Sequence, residues 1–204
     1  MGTKTETEAR KSPYQLLIAS ESYSFELNQD MLNRLREEAD PGEVVARFAQ
    51  AVGGKKGAES DAVAKKLFGE YGQSWMKKTL QRGEEYPDRT YQVLREAADQ
   101  TGELVFPHIL QRFIEIAYLG TQQFRKLPVV ESWARRLVYK VTDCYTFNLL
   151  KEKCDPEVVS LLPCRHACLA ACHTACEELN LEATIGMGAS MVKDGYCQFV
   201  ITRK

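Results

Sequence analysis

Five segments with helical spacing of apolar residues occupy the first two thirds of the chain. In each segment apolar residues recur three or four positions apart, which is the period of an α-helix with one buried face. Proline begins three of the segments, at Pro41, Pro87 and Pro107, as is common at the first turn of a helix. We predict that residues 13–127 are mainly helical and that residues 1–12 form a mobile tail.

The pattern changes after residue 128 from helical spacing to alternation. Leu137, Tyr139 and Val141 alternate with Arg136, Val138 and Lys140, which suits a strand. This stretch therefore predicts the first strand of a second structural layer.

The remaining residues supply short helices and two more strands. Helices are predicted over residues 146–153, from Pro156, and from Pro163 to about residue 180. Strands are predicted over residues 182–192 and 196–202, separated by a turn at residues 193–195.

The resulting fold class is α+β, with a helical N-terminal layer followed by a β-α-α-β-β unit that contains an antiparallel sheet. We predict a single domain over residues 13–204, in which residues 128–204 form a cysteine-rich α/β ligand-binding part.

Composition and charge narrow the class of partner. The chain is 44% hydrophobic and 27% charged, with a net charge of -1, which is ordinary for a soluble globular protein. A near-neutral balance does not indicate binding to nucleic acid or to an anionic membrane. The first residues lack the apolar core of a secretory signal, and no apolar run reaches the length of a membrane span. We therefore expect a cytoplasmic protein with no nucleic-acid or membrane partner.

Four cysteines recur at every fourth residue of the last predicted long helix. They are Cys164, Cys168, Cys172 and Cys176, and the chain holds seven cysteines in all. This spacing places them along one stripe of the helix. Disulfides are rare in the cytoplasm, so buried thiols, metal ligands and reactive thiols remain as interpretations.

Helix geometry limits what this stripe can bind. Cys164 and Cys176 are separated by about 18 Å along the axis, so a single zinc ion or iron–sulfur cluster cannot use all four thiolates. Two neighbours such as Cys164 and Cys168 could supply two ligands, completed by Cys197, Cys144, Cys154 or a histidine. Alternatively, alanines beside the cysteines form a small-residue face that packs closely, where free cysteine acts as a small apolar residue.

Histidine offers a further cofactor hypothesis. His166 and His173 lie between the cysteines, and His108 lies on the fifth predicted helix. Histidine is a common axial ligand of haem, so noncovalent haem binding is one alternative. A hydrogen-bonded or exposed side chain is the other interpretation for each histidine.

Three short motifs of the C-terminal part carry a family resemblance. They are Val141-Thr-Asp-Cys144, Leu162-Pro-Cys164, and the ending Asp194-Gly-Tyr-Cys-Gln-Phe199. Over roughly residues 125–204 the chain resembles the 4-vinyl reductase-type domain and the related L-2-amino-thiazoline-4-carboxylic acid hydrolase-like proteins. The resemblance implies a mixed α/β pocket for a small, often apolar molecule. Relatives include tetrapyrrole-related proteins, sensors of aromatic compounds and thiazoline hydrolases.

The resemblance also implies part of a zinc site. In the sensor members, two cysteines separated by seven residues precede the last strand, with a glutamate upstream. Cys164 and Cys197 match cysteines of that pattern, whereas Ala189 and Gly186 stand where the middle cysteine and the glutamate would be. Only Cys164 and Cys197 are therefore carried over.

Together these observations favour a cytoplasmic protein that binds a small apolar or heterocyclic molecule near the cysteine-bearing helix. The alternatives are a hydrolase or tetrapyrrole-modifying enzyme of the same fold, and an iron–sulfur or haem-binding redox protein. An apolar fifth helix would also permit a homodimer. The candidate pocket residues are Cys164, Cys168, His166, Cys197 and Tyr118. The candidate metal ligands, not all on one ion, are Cys164, Cys168, Cys172 and Cys197.

Overall fold

A computed structural model describes residues 25–122 and 127–204 of the chain. The mobile tail predicted for residues 1–12 lies outside the described residues. In the described part, the buried apolar side chains of the helical part and of the C-terminal part form one continuous hydrophobic cluster.

Capping side chains stabilise the starts of three of the five helices described in the first part. Asn28, Asp40 and Asp88 each accept a hydrogen bond from a backbone N–H of the helix that follows, which satisfies donors that have no partner within the helix. The helices are α1 (Gln29–Glu38), α2 (Pro41–Val52), α3 (Gly57–Glu85), α4 (Arg89–Thr101) and α5 (His108–Thr121).

The second part contains an antiparallel sheet of four strands in the order β1-β2-β4-β3. Its elements are β1 (Val129–Trp133), β2 (Arg136–Val141), α6 (Tyr145–Lys153), α7 (Pro156–Ser160), α8 (Arg165–Glu178), β3 (Ala183–Ala189), α9 (Met191–Asp194) and β4 (Cys197–Arg203). The predicted α+β class with an antiparallel sheet is confirmed. Strand β1 and the short helix α9 were not predicted from the sequence, and α9 occupies most of the predicted turn.

The inner face of the sheet follows the predicted alternation, although Val138 of β2 is buried as well. Leu137, Tyr139 and Val141 of β2 are buried, as are Phe199 and Ile201 of β4. Tyr139 pairs with Phe199 across the two central strands, and their rings stack with centroids 5.3 Å apart. These side chains form the surface against which α8 packs.

Helix α8 approaches the long helix α3 at a point where neither has a large side chain. A Cβ atom placed on Gly72 of α3 would lie 2.2 Å from the carbonyl oxygen of Ala167. Ala171 and Ala175 continue the same buried face of α8. Helix α3 runs through Gly72 without interruption, so this glycine serves close helix packing.

Arg112 of α5 is a fully buried charged side chain. Its Nε donates to Asp88 Oδ2 at 3.0 Å, and its other nitrogens donate to the carbonyl oxygens of Gly83 and Tyr86. The guanidinium also lies 4.2 Å from the centroid of the Tyr91 ring. A buried charge is tolerated when it is paired and hydrogen-bonded in this way.

The apolar side chains of α5 are also buried within the chain. A homodimer would therefore need a surface other than the apolar face of α5. Among the helices of the described part, none has the length and apolar character needed to cross a bilayer.

The contact at Gly72 gives a testable expectation. We expect Gly72→Ala to lower the free energy of unfolding by about 1–3 kcal/mol, because the new methyl group must displace the backbone of α8. Gly69→Ala is the matched control in the same helix, since a Cβ there meets nothing within 4 Å. It should stabilise the protein by about 0.5–1 kcal/mol. Urea unfolding measures both, and equal effects of the two substitutions would contradict the close approach.

Candidate functional site

The cysteine stripe of α8 faces the protein interior, where tyrosines meet two of its thiols. Tyr139 Oη lies 3.2 Å from Cys172 Sγ, and the Tyr118 hydroxyl interacts with the Cys168 thiol. The two tyrosine rings pack edge to face with centroids 5.6 Å apart. Burial raises the pKa of Cys172 to about 11 and that of Cys168 well above its usual value. Both thiols are therefore protonated at neutral pH.

Cys144, which the sequence suggested only as an alternative ligand to complete a cysteine pair, lies beside the N-terminal end of this stripe. It caps α6, where its sulfur accepts the backbone N–H of Phe147 at 3.4 Å and its thiol donates to Gln122 Oε1 at 3.6 Å. A hydrogen bond with Cys164, together with backbone N–H donors, lowers the pKa of Cys144. The same bond and burial raise the pKa of Cys164. The position of Cys144 between a predicted strand and a predicted helix was the available signal.

Cys197 completes the cluster from the sheet. It begins β4 and pairs with Val141 of β2, and burial raises its pKa to about 11. Cys144, Cys168 and Cys197 all influence the pKa of Cys164 electrostatically, so the four thiols lie in one region of the interior. Four of the five predicted pocket residues thus come together: Cys164, Cys168, Cys197 and Tyr118.

The cluster is a set of largely protonated, hydrogen-bonded thiols. Zinc and iron–sulfur clusters bind thiolates, and burial opposes deprotonation of Cys164, Cys168, Cys172 and Cys197. Within residues 25–122 and 127–204, no group of three or more potential ligand side chains is arranged to hold a metal ion. Metal binding by these four cysteines stays a prediction, as does haem.

His166, the fifth predicted pocket residue, lies apart from the thiols at the contact between α8 and α3. Its Nε2 is 3.0 Å from Asp61 Oδ1, and the Arg165 guanidinium donates to the same oxygen at 2.8 Å. The hydrogen bond with His166 and the neighbouring positive charges lower the pKa of Asp61. In this structure His166 joins two helices.

An open groove of about 610 Å³ runs along a neighbouring side of α8. Arg165, Leu169 and His173 line it from α8, at the same four-residue spacing as the cysteines but one position later. The other wall is formed by β3 and α9, and the end by residues that precede α8. Those further lining residues are Ser160, Leu161, Leu162, Ile185, Gly186, Met187, Gly188, Ala189, Ser190, Val192, Lys193 and Asp194.

None of the five predicted pocket residues is among the side chains that line this groove. The thiol cluster and the groove therefore occupy two different stripes of one helix. Their roles as ligand contacts stay predictions. Sequence patterns did not reveal the groove, because its walls come from segments that meet only in the folded chain.

Comparison with known proteins adds little to this geometry. No protein-family model matches the chain, and no curated protein matches it significantly. One similar solved structure is a member of the H-NOX family that was determined to probe the function of haem distortion. That chain is 13% identical, with a TM-score of 0.29, and the match covers 85% of this chain and 91% of the other. A TM-score of this size does not establish a shared fold.

The Asp61 contact predicts a pH-dependent contribution to stability. At neutral pH, Asp61→Asn should lower the free energy of unfolding by about 0.5–1 kcal/mol, because the pair is partly exposed and screened. Folding lowers the pKa of Asp61, so this contribution is fully present above the unfolded value of about 3.9. It is lost as the pH falls through the lower folded pKa.

Urea unfolding of both proteins from neutral pH to about pH 3 measures this difference. Asp99→Asn is the control, since Asp99 is exposed and its substitution should change stability by less than about 0.5 kcal/mol. A gap between wild type and Asp61→Asn that stays constant with pH would contradict the assignment.

The thiol cluster predicts a structural cost for losing Cys172. We expect Cys172→Ala to reduce the free energy of unfolding by about 1–2 kcal/mol, because the buried Tyr139 hydroxyl loses its partner. Cys154 is only partly buried, so Cys154→Ala should cost less than about 0.5 kcal/mol. Unfolding in urea distinguishes the two variants. If Cys172→Ala left the free energy of unfolding unchanged, the Tyr139 contact would contribute nothing to stability.

Proposed function

We propose that this chain is a small-molecule-binding protein of 4-vinyl reductase-like type, with its ligand in the groove between α8 and the β3–α9 segment. The observation that supports it is the groove itself, whose volume of about 610 Å³ lies within the range of roughly 300–1,000 Å³ typical of small-molecule sites. The groove is adjacent to the cysteine-bearing helix that the family resemblance involves.

The lining has the chemical character that an apolar or heterocyclic molecule needs. Leu161, Leu169, Ile185, Met187 and Val192 give it an apolar surface. Val192 is 43% exposed, so a ligand that covers it removes apolar area from water at a gain of about 25 cal/mol per Å². Such a gain favours binding without requiring a deep cavity.

Binding, rather than catalysis, is the activity that this geometry supports. The thiols that could act as nucleophiles lie on the inner stripe of α8, whereas the groove lies along its outer stripe. Burial also keeps most of these thiols protonated, and the thiolate is the nucleophilic form. The hydrolase and tetrapyrrole alternatives would need a reacting group that faces the groove.

The experiment uses a neutral apolar dye, N-phenyl-naphthylamine, whose fluorescence rises on binding. We expect Val192→Ser to weaken dye binding about threefold to tenfold, because roughly 1 kcal/mol of apolar contact is lost. Val130→Ser is the matched control, since Val130 is 51% exposed but lies on β1 at the other edge of the sheet. Circular dichroism should show both variants folded.

Two outcomes would contradict the proposal. One is dye binding that Val192→Ser and Val130→Ser leave equally strong. The other is a coloured, iron-containing protein after anaerobic purification, which would support the redox alternative. A colourless protein whose dye affinity falls only with Val192→Ser would agree with the groove as the binding site.

A further inference from the structure

We infer that the ligand of the groove is an apolar molecule that carries one acidic group, with its anion held by Lys193 and Arg165. This inference rests on the proposed function and specifies the class of ligand. The charged side chains around the groove support it. The acidic side chain there is already hydrogen-bonded, whereas the basic side chains still have N–H donors for a ligand.

The single acidic side chain among the groove-lining residues is Asp194, and it is already engaged. Its Oδ2 accepts the backbone N–H of Ser190 at 2.8 Å, within the turn that begins α9. This local bond uses part of the hydrogen-bonding capacity of the carboxylate and orients it toward the backbone at the start of α9. A cationic ligand would therefore have one acidic partner, already hydrogen-bonded, to approach.

Lys193 is the more available charge. Its side chain is exposed and lines the groove. In the described part of the chain, no carboxylate lies within ion-pair distance of its ammonium group. An ammonium group offers three N–H donors and no acceptor, so the partner it lacks is an anion.

Arg165 adds a second cation with a fixed orientation. One nitrogen of its guanidinium donates to Asp61 Oδ1 at 2.8 Å, and His166 lies on the same oxygen at 3.0 Å. A guanidinium has five N–H donors, so this single bond positions the group and leaves donors for a ligand. A carboxylate accepts charge-assisted hydrogen bonds from such donors.

The apolar side chains that line the same groove determine the rest of the ligand. Leu169 and Met187 are partly buried and pack against the core, so they form a fixed apolar wall. A ligand with an apolar body and one terminal acid would cover this wall while its charge stays in the open, hydrated part of the groove. Leaving the charge hydrated avoids the large cost of burying an ion.

Three probes with the same ten-carbon chain test the inference: decanoate, decanol and decylammonium. Isothermal titration calorimetry should show decanoate binding about threefold to tenfold tighter than decanol, with decylammonium weakest. Lys193→Met should weaken decanoate about threefold to fivefold and leave decanol unchanged. Added salt should weaken decanoate selectively, because exposed charges are screened.

Lys66→Met is the matched control, since Lys66 is an exposed lysine of α3 outside the groove. It should leave the affinity for all three probes unchanged. Val192→Ser should weaken decanoate and decanol alike, which would locate both in the groove.

The outcomes separate the two claims. If none of the three probes binds, or if Val192→Ser has no effect on any of them, the proposed function fails and the inference fails with it. If decanol binds as tightly as decanoate and Lys193→Met changes neither affinity, the groove binds apolar molecules but the inferred preference for an acidic group is wrong. Tightest binding of decylammonium would overturn it as well.

Discussion

The distance between α3 and α8 is the constraint on which the rest of the C-terminal part depends. Gly72 lets the backbone of α3 approach the carbonyl of Ala167 so closely that even one methyl group would not fit. This approach places the inner stripe of α8 against Tyr118 and Tyr139, and it sets the outer stripe opposite β3 and α9. Moving α8 outward would open the thiol cluster and narrow the groove in one displacement.

Helix α8 therefore serves two surfaces with two adjacent sets of residues. The inner set binds the core through hydrogen bonds of thiols to hydroxyl groups and to another thiol. The outer set consists of a cation, an apolar residue and a histidine, which are Arg165, Leu169 and His173. The salt bridge from Arg165 to Asp61 ties the outer set to α3, so the orientation of the groove and the packing of the core rest on the same pair of helices.

The sequence predicted the parts of this structure that depend on local periodicity. The helical layer, the alternation in β2 and the long cysteine helix followed from residue spacing. Four of the predicted pocket residues, Cys164, Cys168, Cys197 and Tyr118, lie in one region of the interior. Strand β1 was missed because most of its residues are exposed and it shows little alternation. The burial of Arg112 and the groove depend on contacts between distant segments, which no local pattern records.

The strand order has a consequence for how the chain is made. Strand β4 follows β3 along the chain but lies between β2 and β3 in the sheet, so the β2–β1 hairpin and β3 cannot join until β4 has left the ribosome. The helices, formed from earlier residues, can pack first as synthesis proceeds. During that interval α8 would have no completed sheet beneath its cysteines, and the last seven-residue strand would enclose the thiols as it inserts.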